Sequence, residues 1–301
     1  MKKKKISPQH SSSLIFIITL ISSLIILGIV AYIILDIVVL KKVETGDIKI
    51  KENIYTPDIK DNNTILIIGE NKGELEYTTL MFYDAYNSRI MFMPLPLNTF
   101  SQVNTKKANL TDFYGKGNQK GLCRAVENLF DISIQKYIEL TPDSLYNIVK
   151  KSGNISFPLV CDMNYKNPKT NEVTKFSKNT KNIFSSSELR KILLYPYYPE
   201  GIHQNMYYSG VISSDILNSF TTNSEDVFDD LDTIYKDVIS KSVTNIEEYD
   251  FYSQRLSFRY MLTQFESPAI YILPQGDINE DGYFIMDSDY KSTIHEYISQ
   301  W

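Results

Sequence analysis

A chain of 301 residues with 31 Lys+Arg against 36 Asp+Glu has a net charge of −5, and the charge is unevenly spread. Six lysines and one acid, Asp36, fall in the first 42 residues, so the remainder holds 25 basic and 35 acidic residues, a net charge near −10. A surface of that sign repels nucleic acid and other phosphate-rich polymers and confines any anion site to a local arrangement.

The first element is apolar. From Leu14 to Leu35 run 22 residues without a charge, shortly after Met1-Lys2-Lys3-Lys4-Lys5. As a helix that run is about 33 Å long, enough to cross the hydrocarbon core of a bilayer. A cleaved signal peptide would have an apolar region of only about 7–15 residues ending in a small-x-small site, whereas Tyr32-Ile33-Ile34-Leu35 continues past Gly28 and Ala31. The reading is an uncleaved signal anchor in the cell membrane: cytoplasmic tail 1–13, transmembrane segment 14–40, polar juxtamembrane stalk 41–63 and an extracellular domain 64–301. Four lysines before the segment against Lys41 and Lys42 after it place the N-terminus in the cytoplasm. The bilayer is thus the first partner.

Thr64-Ile65-Leu66-Ile67-Ile68-Gly69 reads as a buried strand. Thr78–Tyr83 and Arg89–Met93 predict two more, joined as a hairpin by Asp84-Ala85-Tyr86-Asn87-Ser88. A loop rich in Asn, Lys and Gly is expected next, with Gly115-x-Gly117 as loop glycines. Leu122, Val126 and Leu129 then predict a helix over 122–130. Thr141-Pro142 is an N-cap followed by an N1 proline, with Leu145, Ile148 and Val149 on the buried side. Ile155–Met163 reads as a strand, and Ser185-Ser186-Ser187-Glu188 as a capping box opening a helix that carries Leu189, Ile192 and Leu193. Val227, Leu231, Ile234, Tyr235 and Val238 trace an amphipathic stripe. Ala269–Leu273 supplies a late strand and Tyr290–Ile298 a terminal helix. Interleaved strands and helices predict a layered α/β domain with a central mixed sheet flanked by helices.

Cys123 and Cys161 lack Cys-x-x-Cys spacing, and His10, His203 and His295 are scattered, so there is no sequence case for zinc. The cysteines could pair in an oxidising compartment; two small buried residues is the preferred reading. The 22 tyrosines, clustered at Tyr195-Pro196-Tyr197-Tyr198 and Tyr207-Tyr208, are read first as half-buried packing and second as the lining of a glycan or lipid groove. Asp277-Ile278-Asn279-Glu280-Asp281-Gly282 matches the first half of a calcium loop, with Asp277, Asn279 and Asp281 as ligands. Ser288 stands where the twelfth-position acid belongs, and a polar hairpin turn is the preferred reading.

The order of segments resembles the LytR-CpsA-Psr family of bacterial cell-envelope proteins over about residues 64–300. Thr64–Gly69 resembles its opening strand, Thr78-Thr79-Leu80-Met81 its Asp-Thr-Ile/Leu-Met segment, and Pro94-Leu95-Pro96-Leu97-Asn98-Thr99-Phe100 its Ser-Ile-Pro-Arg-Asp-Thr-Tyr signature. Lys107-Ala108-Asn109 resembles its Lys-Ile-Asn, Leu122 to Tyr137 its helix and following strand, and Gly153-Asn154-Ile155 with Cys161–Tyr165 a later strand and its exit. The resemblance implies a membrane helix with an extracytoplasmic α/β domain. It also implies transfer of a glycopolymer from a polyprenyl pyrophosphate carrier to peptidoglycan, assisted by arginines and a divalent cation such as magnesium.

The residues for that chemistry are replaced here. Leu97 stands for the signature arginine, Asn98 for its aspartate and Thr78 for the earlier aspartate, and 194–210, which corresponds to the later arginine-rich segment, holds no arginine. Ligand-binding candidates are therefore Thr78, Asn98, Lys107 and Asn109. The leading expectation is a protein of this kind without the standard catalytic residues, binding a polyprenyl-phosphate-linked glycan or regulating active paralogues. The alternatives are a working glycopolymer phosphotransferase and a protein-interaction module of the envelope.

Overall fold

The computed structural model describes residues 55–153, 155–166, 170–179, 181–220 and 227–301. The signal anchor expected at 14–40 lies outside them, and among the described residues no helix is long and apolar enough to cross a membrane. Residues 55–63, the end of the expected stalk, are joined to the domain. Asp58 caps a 3-10 turn over Ile59–Asp61, the Tyr55 hydroxyl donates to Asp61 at 2.6 Å, and Gln254 donates to the Asp61 carbonyl at 3.3 Å.

In chain order come β1 (Asn63–Asn71), β2 (Glu74–Asp84), β3 (Arg89–Leu95), the hairpin β4 (Phe100–Val103) and β5 (Lys106–Asn109), and α1 (Leu110–Phe130). Then follow β6 (Lys136–Leu140), α2 (Pro142–Ser152), β7 (Ile155–Pro158), β8 (Met163–Lys166), β9 (Val173–Phe176), β10 (Lys181–Phe184) and α3 (Ser186–Leu193). The chain closes with α4 (Gly201–Ser219), α5 (Val227–Asp237), α6 (Glu248–Gln264), β11 (Ala269–Tyr271), β12 (Gly276–Ile278), β13 (Phe284–Met286) and α7 (Ser288–Ile298).

The central sheet has the order β11-β3-β2-β1-β6. β1, β2 and β3 form an antiparallel meander, while β6 joins β1 and β11 joins β3 in parallel. It is the mixed sheet the sequence predicts, with the expected hairpin between β2 and β3. β1 turns into β2 through Lys72 and Gly73, both at positive φ (57° and 85°), the conformation that a two-residue hairpin turn requires.

Alternation along the strands gives the sheet two apolar faces. Leu66, Ile68, Leu80, Phe82 and Met93 pack on α1 and α7. Ile65, Met81, Tyr83 and Phe92 face the other way, where Met261 of α6 joins them and the buried Tyr83 hydroxyl shares a 2.6 Å hydrogen bond with Ser257. A further core beside this second face gathers Leu145, Ile155, Leu189, Ile192, Tyr208 and Ile212.

Two expectations are corrected. Gly115-x-Gly117 is not loop: α1 begins at Leu110 and runs through it, with a kink at Asn118 (φ 51°, ψ −147°). The strand expected over Ile155–Met163 is two, β7 and β8, because β7 ends at Pro158, whose nitrogen has no hydrogen to give a ladder. The caps hold as predicted, with Thr141 accepting from the Ser144 amide and Ser185 and Glu188 forming a reciprocal box. Cys123 and Cys161 are free thiols packed in different cores, and burial pushes the Cys123 thiol up to about 12.

The kink in α1 brings the Phe113 carbonyl oxygen to within 2.4 Å of where a β-carbon on residue 121 would stand. Gly121→Ala should therefore lower stability by about 1–3 kcal/mol, as overpacking does, read as a several-degree fall in Tm. The exposed Gly117→Ala, which meets nothing within 4 Å, should leave Tm unchanged or raise it.

Candidate functional site

The second face of the sheet is incompletely filled. Between it and the helices lies an apolar cavity of about 310 Å³, at the lower end of the size range of small-molecule and cofactor sites. Ile65, Ile67, Thr79, Met81, Phe92 and Ile138 form its floor, and Leu145, Ile212, Ile216, Leu231, Phe258 and Leu262 from four helices form its roof. The charged residues on its border are engaged in ion pairs. Lys136 contacts Asp250 and holds that carboxyl below the usual range, and Arg255 meets Asp232 at 2.7 Å.

A second cavity of similar volume, polar in part, opens at the end of β2 and β3. Thr78, Pro96 and Leu97 line it from the sheet side, and Leu193 of α3, Tyr195 and Tyr198 of the segment after it and Asn205 of α4 from the other. Tyr77, Leu193 and Ser209 border both cavities. Tyr77 is the centre of this shared wall. A β-carbon on Gly69, its neighbour across the strand pair, would stand 2.1 Å from the ring, so the ring lies where only a glycine leaves room. Burial raises its hydroxyl well above the usual phenol range.

Glu76, one residue before Tyr77, is the only charged side chain among the described residues lining the second cavity. It is bound by Arg190 of α3 in a two-pronged pair, Nε to Oε2 at 2.8 Å and Nη2 to Oε1. Asn71 donates to the same Oε1 at 2.9 Å. The Glu76 hydrogen bond holds the Arg190 guanidinium charged more firmly than usual.

The residues singled out in the sequence separate. Thr78, only 2% exposed, donates to the Ile67 carbonyl at 3.3 Å, and together with Leu97 lines the second cavity. Asn98 turns to the β12–β13 hairpin, its Nδ2 donating to the Gly282 carbonyl at 2.8 Å while its buried Oδ1 has no protein partner. Lys107 is exposed on β5 and lines neither cavity. Asn109 is the N-cap of α1, accepting from the Asp112 amide at 2.8 Å. Asp277, Asn279 and Asp281 lie in the β12–β13 hairpin, where the Asn279 side chain accepts from the Tyr283 amide at 2.8 Å.

Of the tyrosine clusters, Tyr198 and Tyr208 are buried and stacked with centroids 5.2 Å apart, and their oxygens bond to the Ile192 carbonyl and the Val160 amide. Tyr195 and Tyr198 also edge the second cavity. The divalent cation implied by the resemblance needs several oxygen ligands, carboxylates foremost. The second cavity offers one carboxylate, already held by Arg190, and among the described residues no three His, Cys, Asp or Glu side chains stand together. The residues present do not fit the ion.

No protein-family model and no curated relative matches the chain. Solved structures share its fold. A protein of Eubacterium siraeum DSM 15702 described as a transcription regulator superposes with a TM-score of 0.72 at 23% identity, covering 84% of this chain and 97% of its own. TagV of Bacillus subtilis gives 0.64 at 16% over 79% and 96%, and a structure of TagT bound to LI-WTA gives 0.63 at 12% over 82% and 93%. TagT and TagV are LytR-CpsA-Psr proteins. At these identities the likeness is one of fold.

The shared wall can be tested directly. Tyr77→Ala should join the two cavities and increase uptake of a fluorescent long-chain isoprenoid, at a stability cost of about 1–3 kcal/mol for truncating a partly buried aromatic. Gly69→Ala should displace the ring and lower Tm with Tyr77 intact. Unchanged uptake and Tm in both variants would remove Tyr77 from the wall.

Proposed function

We propose that this is a membrane-anchored protein of the cell envelope whose extracytoplasmic domain, of LytR-CpsA-Psr type, binds a polyprenyl-phosphate-linked glycan or its carrier without the family's standard transfer chemistry. The observation that carries the reading is the apolar cavity between sheet and helices, bordered through Tyr77 by a cavity with polar groups. An amphiphile with a long apolar chain and a polar head has that same division. The apolar chain would lie over Ile65, Ile67 and Met81, and its head at the end of β2 and β3.

Leu97, Asn98 and Thr78 cannot supply the charge clamp that pyrophosphate transfer needs. A leucine has no donor, and neither an amide nor a hydroxyl holds a metal as a carboxylate does. Binding without turnover suits a role in delivering, sequestering or sensing the lipid-linked polymer for paralogues that do carry out its attachment. The uncharged run at 14–35 supports anchoring in the membrane where such carriers reside.

Native mass spectrometry and lipid extraction on the full chain purified from membranes test the proposal. Co-purified isoprenoid lipid is expected in the wild type, with loss in Ile216→Trp, which fills the cavity from α4, and retention in Lys107→Ala, which lies away from it. A wild-type protein that carries no lipid and takes none up when offered would overturn the reading.

A further inference from the structure

The polar cavity raises a problem of charge. A phosphate-bearing head needs cationic donors, and guanidinium is the side chain best matched to it. Yet among the described residues lining this cavity there is neither lysine nor arginine, and the single charged group is an acid, Glu76. The nearest resolution is its partner. Arg190 stands on α3 one turn before Leu193 and Leu194, both of which line the cavity, and it uses two of its five N–H donors on Glu76.

We propose that Arg190 is the residue that takes the anionic head of the ligand, and that Glu76 is its resident competitor, a latch that the phosphate must displace. The inference rests on the amphiphile-binding reading above and concerns only how the head group is held. Three features make the pair exchangeable. Both side chains keep some exposure, 29% for Arg190 and 13% for Glu76, so an incoming oxygen reaches them. Asn71 donates to the Glu76 carboxylate at 2.9 Å, so the carboxylate keeps a partner when the guanidinium leaves. A phosphate offers the guanidinium the same planar, two-oxygen face as the carboxylate it replaces.

The latch has an energetic signature that an ordinary structural ion pair lacks. Glu76 competes with the ligand for Arg190 and repels it, so removing the carboxylate strengthens anion binding while removing the guanidinium weakens it. A purely structural pair predicts that both substitutions lower Tm and that neither moves affinity apart from the other.

The test uses the full chain in nanodiscs, titrated calorimetrically with geranyl diphosphate and, separately, with geraniol, with empty nanodiscs as the blank. Glu76→Gln should tighten diphosphate binding about fivefold and Arg190→Gln weaken it about tenfold, shifts of roughly 1 and 1.4 kcal/mol, with geraniol unaffected in either. Arg190→Lys, which keeps the charge but loses the two-pronged face, should fall between and guards against a folding defect in the glutamine variant. If all three variants bind diphosphate as the wild type does, or all weaken it together, the latch is wrong. If the wild type binds geraniol as tightly as the diphosphate, the cavity takes an uncharged head; the latch then falls and the amphiphile reading stands. If no protein binds either probe, the amphiphile reading falls and the latch with it.

Discussion

β1 is hydrogen-bonded on both edges and covered on both faces. It pairs with β2 on one side and β6 on the other, and Ile65, Leu66 and Ile68 are all buried. A strand in that position cannot lie at a surface, so the sheet needs a layer on each side. The two layers are built differently. On one face α1 and α7 bring Leu110, Leu122, Val126, Phe130 and Ile294 into dense contact with the strands. On the other, four helices meet over Ile67, Thr79 and Met81 without closing on them, and the cavity follows from that difference. Gly69 belongs to the same strand, so the residue that ends the apolar run of β1 also sets where the Tyr77 ring stands.

Charge is arranged to keep the cavity region neutral. The ion pairs Lys136–Asp250, Arg255–Asp232 and Arg190–Glu76 each match a cation to an anion near its rim. Partly buried pairs of this kind add little net stability, because the desolvation they require offsets most of their attraction. Their effect is better described as cancelling charge beside an apolar space. Where residues 43–301 carry a net charge near −10, a free cation there would gather anions indiscriminately. A paired one responds only to an anion that can outcompete a carboxylate.

The sheet was legible because its strands are short apolar runs closed by turn residues, from Thr64–Gly69 through the hairpin at Asp84–Ser88, and the helix starts at Thr141 and Ser185 because capping chemistry is local. α4 was not. Gln204, Met206, Tyr208, Gly210 and Ile212 are buried together, so helical sides that would contrast in an exposed helix are alike, and the tyrosines mask the period. α6 was missed because its apolar positions are interrupted by Gln254, Arg255 and Arg259 with little amphipathic contrast. Glycines and asparagine hid the first half of α1, up to its kink at Asn118. At the site, Thr78 and Leu97 were found through the motifs that their segments resemble. Glu76, Tyr77 and Arg190 were not, because Glu76 and Arg190 lie 114 residues apart in sequence and no local pattern joins them.

The size of the apolar cavity bears on whether it is a packing accident. Enclosed apolar cavities made in protein cores cost about 24 cal/mol per Å³, so a closed void of about 310 Å³ would cost at most roughly 7 kcal/mol, against about 5–15 kcal/mol for the whole stability of an ordinary domain. Partial opening to solvent reduces the figure without removing it. Collapse would offset the cost, but α4 and α6 are each fixed elsewhere. Asn218 near the end of α4 exchanges two hydrogen bonds with Ala269 of β11, each of 2.9 Å, and Tyr83 stacks on Phe258 of α6 at 4.4 Å. The helices are thus propped at a fixed height above the sheet, and the space beneath them stays open.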